Sequence, residues 1–171
     1  MIQPDTILIG HDLGGVVAAL AALQRPPRQV VLSGTALGPY WAMVRATAAP
    51  VLWRYFYQRH AGRRFVAGAV APERSAEALA AFPGADPSQM RAIALGKTPP
   101  PRLAQRLAAV CPVRLIWGRQ DRWYPPWVAR ALSRATGAPI TWIDAGHLAM
   151  WEAPRPYAAA LRALLSSDGA G

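Results

Sequence analysis

The sequence predicts an α/β fold, and three observations carry that prediction. Short apolar runs at residues 7–9, 30–33, 112–117 and 140–143 read as buried strands. Stretches of helical character separate them, which implies a mostly parallel sheet of about four strands with helices on its faces. Three of the four runs lead into a turn carrying a chemically active side chain: Asp12, Asp121 and His147.

The first run, Ile-Leu-Ile, is followed by Gly10-His11-Asp12-Leu13-Gly14-Gly15, and residues 16–23 continue as an apolar helix. A strand, a turn rich in small residues and a helix match the nucleophile elbow G-x-S-x-G, with Asp12 where serine usually stands. The central residue of such a turn is strained. A Cβ two positions away on either side, at Gly10 or Gly14, would crowd it. Glycine-rich turns between strand and helix also bind phosphate, but an acid at the centre repels an anion. Aspartate in place of serine changes the chemistry from acyl transfer to attack on carbon by a carboxylate.

Arg25-Pro26-Pro27-Arg28 turns the chain into the second strand, so residues 6–33 form a βαβ unit. Residues 34–39 leave that strand at its C-terminal end, where open parallel sheets place their sites. The character then changes. Trp41, Met43, Val44, Val51, Leu52, Trp53, Tyr55 and Phe56 suggest apolar helices broken at Pro50, and residues 76–82 and 102–110 are helical by propensity. Residues 39–110 thus read as a helical cap between core segments 1–38 and 111–171, longer than two parallel strands need to connect.

The third strand ends in Gly118-Arg119-Gln120-Asp121. A helix follows at 125–135, with prolines suited to its first turn and Gly137 beyond its end. The fourth strand leads into Asp144-Ala145-Gly146-His147, a closing helix at 154–165, and a tail at 166–171 expected to fray.

Composition narrows the function classes. With 171 residues and 53% hydrophobic content, the chain has the core of a globular domain. It holds no apolar run long enough to span a membrane, and residues 1–5 do not read as a signal peptide. The single Cys111 offers no internal disulfide, so the expected compartment is cytoplasmic. The net charge of +10 invites a nucleic-acid partner. The basic residues are scattered arginines, however, with Lys97 the only lysine, and Arg54, Arg59, Arg63 and Arg64 form the densest group. Neither nucleic acid nor membrane is expected as a partner; a small-molecule substrate is.

The combination Gly-His-Asp-Leu-Gly-Gly, Trp-Gly-Arg-Gln-Asp and Ala-Gly-His, in this order, resembles the C-terminal portion of an α/β-hydrolase. It is most similar to the aspartate-nucleophile branch that holds epoxide hydrolases and haloalkane dehalogenases. The resemblance covers residues 6–36 and 112–165, and the insertion matches the family's cap in placement, length and helical character. It implies a partial α/β-hydrolase fold and the chain order nucleophile, acid, histidine. Asp12 would attack an epoxide or alkyl halide and form an alkyl ester on the enzyme. His147 would activate the water that hydrolyses this ester, and Asp121 would orient the imidazole. The Leu13 N–H would be an oxyanion donor. Tyr40, Trp41 and Tyr55, early in the cap, are the candidate substrate-binding residues. No metal or organic cofactor is required.

Other residues carry structural expectations. His11 reads as a packing residue beside the nucleophile, His60 as solvent-exposed, and Ser33 and Ser75 as structural; Trp117, Trp123 and Trp142 suit the core or site walls. Asp144 lies too near His147 in sequence to orient its ring. The chain also departs from the pattern. Leu13 replaces a tryptophan that helps hold the leaving halide, there is no asparagine, and Tyr40, Tyr55 and Tyr57 all fall early in the cap. The family's sheet has further strands before the elbow, so something on the order of 100 residues is expected to be missing. Their absence would expose an apolar sheet edge that favours self-association, and would impair activity. Hydrolysis of an ester or lactone and a catalytically silent interaction module are the alternative functions.

Overall fold

The computed structural model describes residues 2–37, 69–81 and 102–166. Four strands, β1 (Ile7–His11), β2 (Gln29–Ser33), β3 (Val113–Gly118) and β4 (Ile140–Ile143), form one parallel sheet in the order β1-β2-β3-β4. The helices are α1 (Leu13–Gln24), α2 (Ser75–Ala81, after a 3-10 turn at Pro72–Arg74), α3 (Leu103–Ala108), α4 (Pro126–Thr136), α5 (Ala149–Glu152) and α6 (Pro154–Ser166). Each of the four expected strands is present, and the class is α/β as predicted.

Alternation along the strands divides the core into two layers. Val30 and Leu32 of β2 and Val113, Leu115 and Trp117 of β3 pack with Val16, Ala19 and Ala22 of α1, Leu103 and Leu107 of α3, and Val128 and Leu132 of α4. On the opposite face Val31, Ile116 and Ile143 meet Ala149, Tyr157 and Ala160. Burial on both faces is why β2 and β3 read as largely apolar runs without strict alternation. α3, within the segment assigned to the cap by sequence, lies against α1 and α4 in the first layer.

The register decides where the strands end. Gly10 is level with Leu32, Leu32 with Leu115, and Leu115 with Ile140. One edge of the sheet therefore gathers the loops after all four strands. Two of these loops are stitched together, since Arg119 N–H donates to Ile143 O at 2.8 Å and Gln120 N–H to Ala145 O at 2.9 Å. α4 ends as its sequence suggests: Gly137 takes a left-handed conformation (φ 71°) and its N–H returns to Ser133 O. β1 is an edge strand among the described residues, with Ile9 48% exposed and Val17 of α1 62% exposed.

Candidate active site

Asp12 stands between β1 and α1 at φ 50°, ψ −122°, a conformation that costs a side chain on the order of 1–3 kcal/mol. Its backbone is held from both sides: the Asp12 N–H donates to Ser33 O at 3.1 Å, and Gly15 N–H donates to Asp12 O at 3.0 Å. Aspartate is a favoured cap at a helix start, yet here the carboxylate makes no capping bond and turns toward the site.

Steric necessity at the elbow falls on one of the two glycines expected, Gly10, and on Gly15 in place of Gly14. A Cβ on Gly10 would lie 2.5 Å from Gly15 Cα, which fits the expectation. A Cβ on Gly14 would meet open space, whereas one on Gly15 would collide with the Thr35 side chain. The tight approach is between α1 and the loop after β2, because the strained turn tips the start of α1 over that loop.

Asp121, 3% exposed, is anchored by the chain that follows it. Its Oδ1 accepts the N–H groups of Trp123 (2.9 Å) and Tyr124 (2.8 Å), and its Oδ2 accepts His147 Nδ1–H at 2.9 Å. His147, 2% exposed, is held by its backbone, whose N–H donates to Ala69 O at 2.6 Å. Glu152 fixes the same loop: its carboxylate accepts Gly146 N–H at 2.9 Å and Ala71 N–H at 2.6 Å. With Nδ1 committed to Asp121, His147 Nε2 faces Asp12 Oδ2 at 3.8 Å, too far for a hydrogen bond, and it is buried without another partner.

Three further side chains complete the cluster. Tyr124 O–H donates to Asp12 Oδ1 at 2.7 Å. His11 Nδ1–H donates to Ser33 O at 3.0 Å, and its ring stands 4.7 Å from that of His147. Trp123 lies on another side of the imidazole, with ring centroids 4.9 Å apart.

The electrostatics follow from burial and charge. Burial alone lowers the pKa of His147, but the carboxylates of Asp12 and Asp121 outweigh it and push the value up to about 9. Burial raises Asp12, yet His147, Tyr124 and His11 together bring it below the ordinary carboxylate value. His11 is lowered to about 4, by burial first and by His147 second. At neutral pH the site holds an Asp12 carboxylate, a His147 imidazolium and a neutral His11.

The structure thus brings together three of the residues singled out by sequence: Asp12, Asp121 and His147. Leu13 is the first residue of α1. Tyr40, Trp41, Tyr55 and Tyr57, with His60 and the arginines at 54, 59, 63 and 64, lie outside the described residues. Asp144 is at the surface with Arg119, 3.1 Å away. Trp117 is fully buried, and Trp142 sits under Arg119 and Arg130. Sequence reasoning missed Tyr124, Thr35 and Glu152. Among the described residues, no group of three or more histidines, cysteines and acids forms a metal-ligand set, and no helix is long and apolar enough to cross a membrane.

A family model described as "Alpha/beta hydrolase family" matches residues 2–160. The comparison with curated proteins gave no match. Among solved structures the chain is similar to a thermophilic esterase from Thermogutta terrifontis, with 24% identity over 95% of this chain and 65% of that one, TM-score 0.71. It is also similar to the enol-lactonase from Burkholderia xenovorans LB400, with 19% identity over 95% of this chain and 66% of that one, TM-score 0.65. A bromoperoxidase from Bacillus anthracis has 15% identity over 98% of this chain and 68% of that one, TM-score 0.66. At these identities the likeness is one of fold, and the chain spans 65% of the esterase's length.

Proposed function

The chain belongs to the alpha/beta hydrolase family, and from that premise we propose that it carries the catalytic centre of a hydrolase for small organic molecules, with Asp12, His147 and Asp121 in the working roles. The observation that carries this reading is the division of labour at Asp12. One oxygen accepts the Tyr124 hydroxyl, and the other faces His147 Nε2.

In the route these residues support best, Asp12 Oδ2 attacks an electrophilic carbon. The carbon–halogen bond breaks and halide leaves with the bonding pair, or an epoxide carbon–oxygen bond opens to an alkoxide. The new ester removes the negative charge of Asp12, one of the causes that hold His147 protonated. The imidazolium then releases its proton, to the opened epoxide oxygen or, for a halide, to solvent. Neutral His147 takes a proton from water as the water oxygen adds to the Asp12 carboxyl carbon. Collapse of the adduct breaks the ester bond, the alcohol leaves with that proton, and the second water proton, left on the Asp12 carboxyl group, passes to His147 and restores the carboxylate–imidazolium pair. Asp121 holds the ring orientation and stabilises the imidazolium in each charged state.

A second reading, hydrolysis of an ester or lactone, draws support from the similar structures named as esterases and an enol-lactonase. These comparisons favour it over an epoxide or halide as the substrate class. A carboxylate that adds to an ester carbonyl is a better leaving group than the alkoxide it must displace. In this reading Asp12, the deprotonated member of the pair, therefore acts as the base toward water beside the His147 imidazolium and forms no covalent bond.

One experiment separates the two. After a single turnover in water enriched in heavy oxygen, the Asp12 peptide is weighed by mass spectrometry. A solvent oxygen in Asp12 supports the nucleophilic route, and label confined to the product acid supports the general-base route. No turnover of any epoxide, halide or ester probe would leave the interaction module as the better account.

A further inference from the structure

Tyr124 has no assigned part in the reaction, yet it is the residue most firmly aimed at the proposed nucleophile. Its hydroxyl donates to Asp12 Oδ1 at 2.7 Å. The residue is 8% exposed and fixed by its backbone: its N–H donates to Asp121 Oδ1 at 2.8 Å, and its carbonyl accepts Trp117 Nε1–H at 2.7 Å. The ring also meets His147 edge-on, with centroids 5.2 Å apart. None of these anchors uses the hydroxyl, so the donor is preorganised by the loop that carries Asp121.

We propose that Tyr124 is a further catalytic residue, whose hydroxyl stabilises the oxyanion formed when water adds to the Asp12 ester. The inference rests on the reading of Asp12 as nucleophile. An oxygen that accepts a hydrogen bond to its charged form is the weaker nucleophile, so Oδ2, opposite His147, bonds to the substrate carbon. Oδ1 then remains as the carbonyl oxygen of the ester. When water adds to that carbonyl carbon, the π electrons move onto Oδ1 and the water proton goes to His147 Nε2. The phenol keeps its own proton and strengthens an existing hydrogen bond. The 2.7 Å separation lies in the range an oxyanion donor needs. The sequence alone points to the Leu13 N–H for this duty; the tyrosine brings a side-chain donor from 112 residues beyond Asp12 along the chain.

The test compares the wild-type chain with Tyr124→Phe and His147→Gln, using styrene oxide and n-butyl bromide as probes and rapid quench with intact-mass detection. In Tyr124→Phe the Asp12 adduct should form at about the wild-type rate and break down roughly 100-fold more slowly, so that it accumulates. Equal slowing of both steps, or turnover without accumulation, overturns the inference. His147→Gln separates this failure from failure of the underlying reading. An adduct there, with none accumulating in Tyr124→Phe, overturns the role of Tyr124 alone. No adduct there with either probe overturns the nucleophile reading and the inference with it. Should Tyr124→Phe fail to fold, a fluorinated tyrosine at the position keeps the packing and donates more strongly. It should speed adduct breakdown, and an unchanged step overturns the inference.

Discussion

Asp12 Oδ2 and His147 Nε2 face each other across 3.8 Å, beyond hydrogen-bonding distance yet close enough to hold each other in the charged form. Five measurable consequences follow from this pair and its supports.

The pKa of His147 depends on Asp12. NMR titration of the imidazole should give about 9 in the wild type and a lower value in Asp12→Asn, which removes one of the two carboxylates that raise it. A folded-state pKa raised above the unfolded 6.5 contributes stability that is fully present below pH 6.5 and lost as pH rises through about 9. Urea unfolding should therefore show wild type and His147→Gln converging in stability across that window.

His11 has the opposite sign. Its value of about 4 means that the unfolded chain takes up a proton below pH 6.5 that the folded chain refuses. Stability should fall between pH 6.5 and 4 for this reason, and His11→Gln should lessen the fall. An unchanged acid limb in denaturant melts would contradict the half-buried, neutral state of His11.

Asp121→Asn keeps an acceptor for the N–H groups of Trp123 and Tyr124 but presents no carboxylate to His147 Nδ1. The imidazole then loses its orienting charge, and hydrolysis of the covalent intermediate should slow on the order of 10³- to 10⁴-fold. Formation of the intermediate from an alkyl halide, in which Asp12 attacks and no proton is needed, should be far less affected. Single-turnover kinetics reads both steps.

The elbow glycines should respond differently. Gly14→Ala places a methyl group in open space within α1 and should stabilise the chain by about 0.5–1 kcal/mol. Gly15→Ala drives a methyl group into Thr35 and should destabilise it by roughly 1–3 kcal/mol. Thermal melts of the two variants check this contrast.

Glu152→Ala leaves the N–H groups of Ala71 and Gly146 without their acceptor. A loss of about 1–3 kcal/mol is expected, with reduced turnover because the His147 loop is no longer held. Faster hydrogen exchange at Gly146 would locate the effect.

The strands and most helices were legible in the sequence because their signals are local. β2 and β3 are mostly apolar, Gln29, Ser33 and Arg114 aside, because both faces of the sheet are covered. α4 was legible for another reason, its prolines and Gly137 marking both ends. That Asp12, Asp121 and His147 lie together was legible because each follows a strand within a few residues, and parallel pairing carries such positions to one edge. Tyr124 was not found. An aromatic residue three positions after an acid carries no local sign that its hydroxyl reaches a carboxylate 112 residues away. Glu152 was missed for the same reason, since one of its partners lies 81 residues back along the chain.

The sequence by itself determined the α/β class, the strand ends and which side chains follow them, because these depend on periodicity and on neighbours along the chain. Only the tertiary structure decided which oxygen of Asp12 faces His147, which one Tyr124 occupies, and that Gly15 rather than Gly14 is sterically required. Those are distances of a few ångströms between segments far apart in sequence, and they are set by sheet register and helix packing.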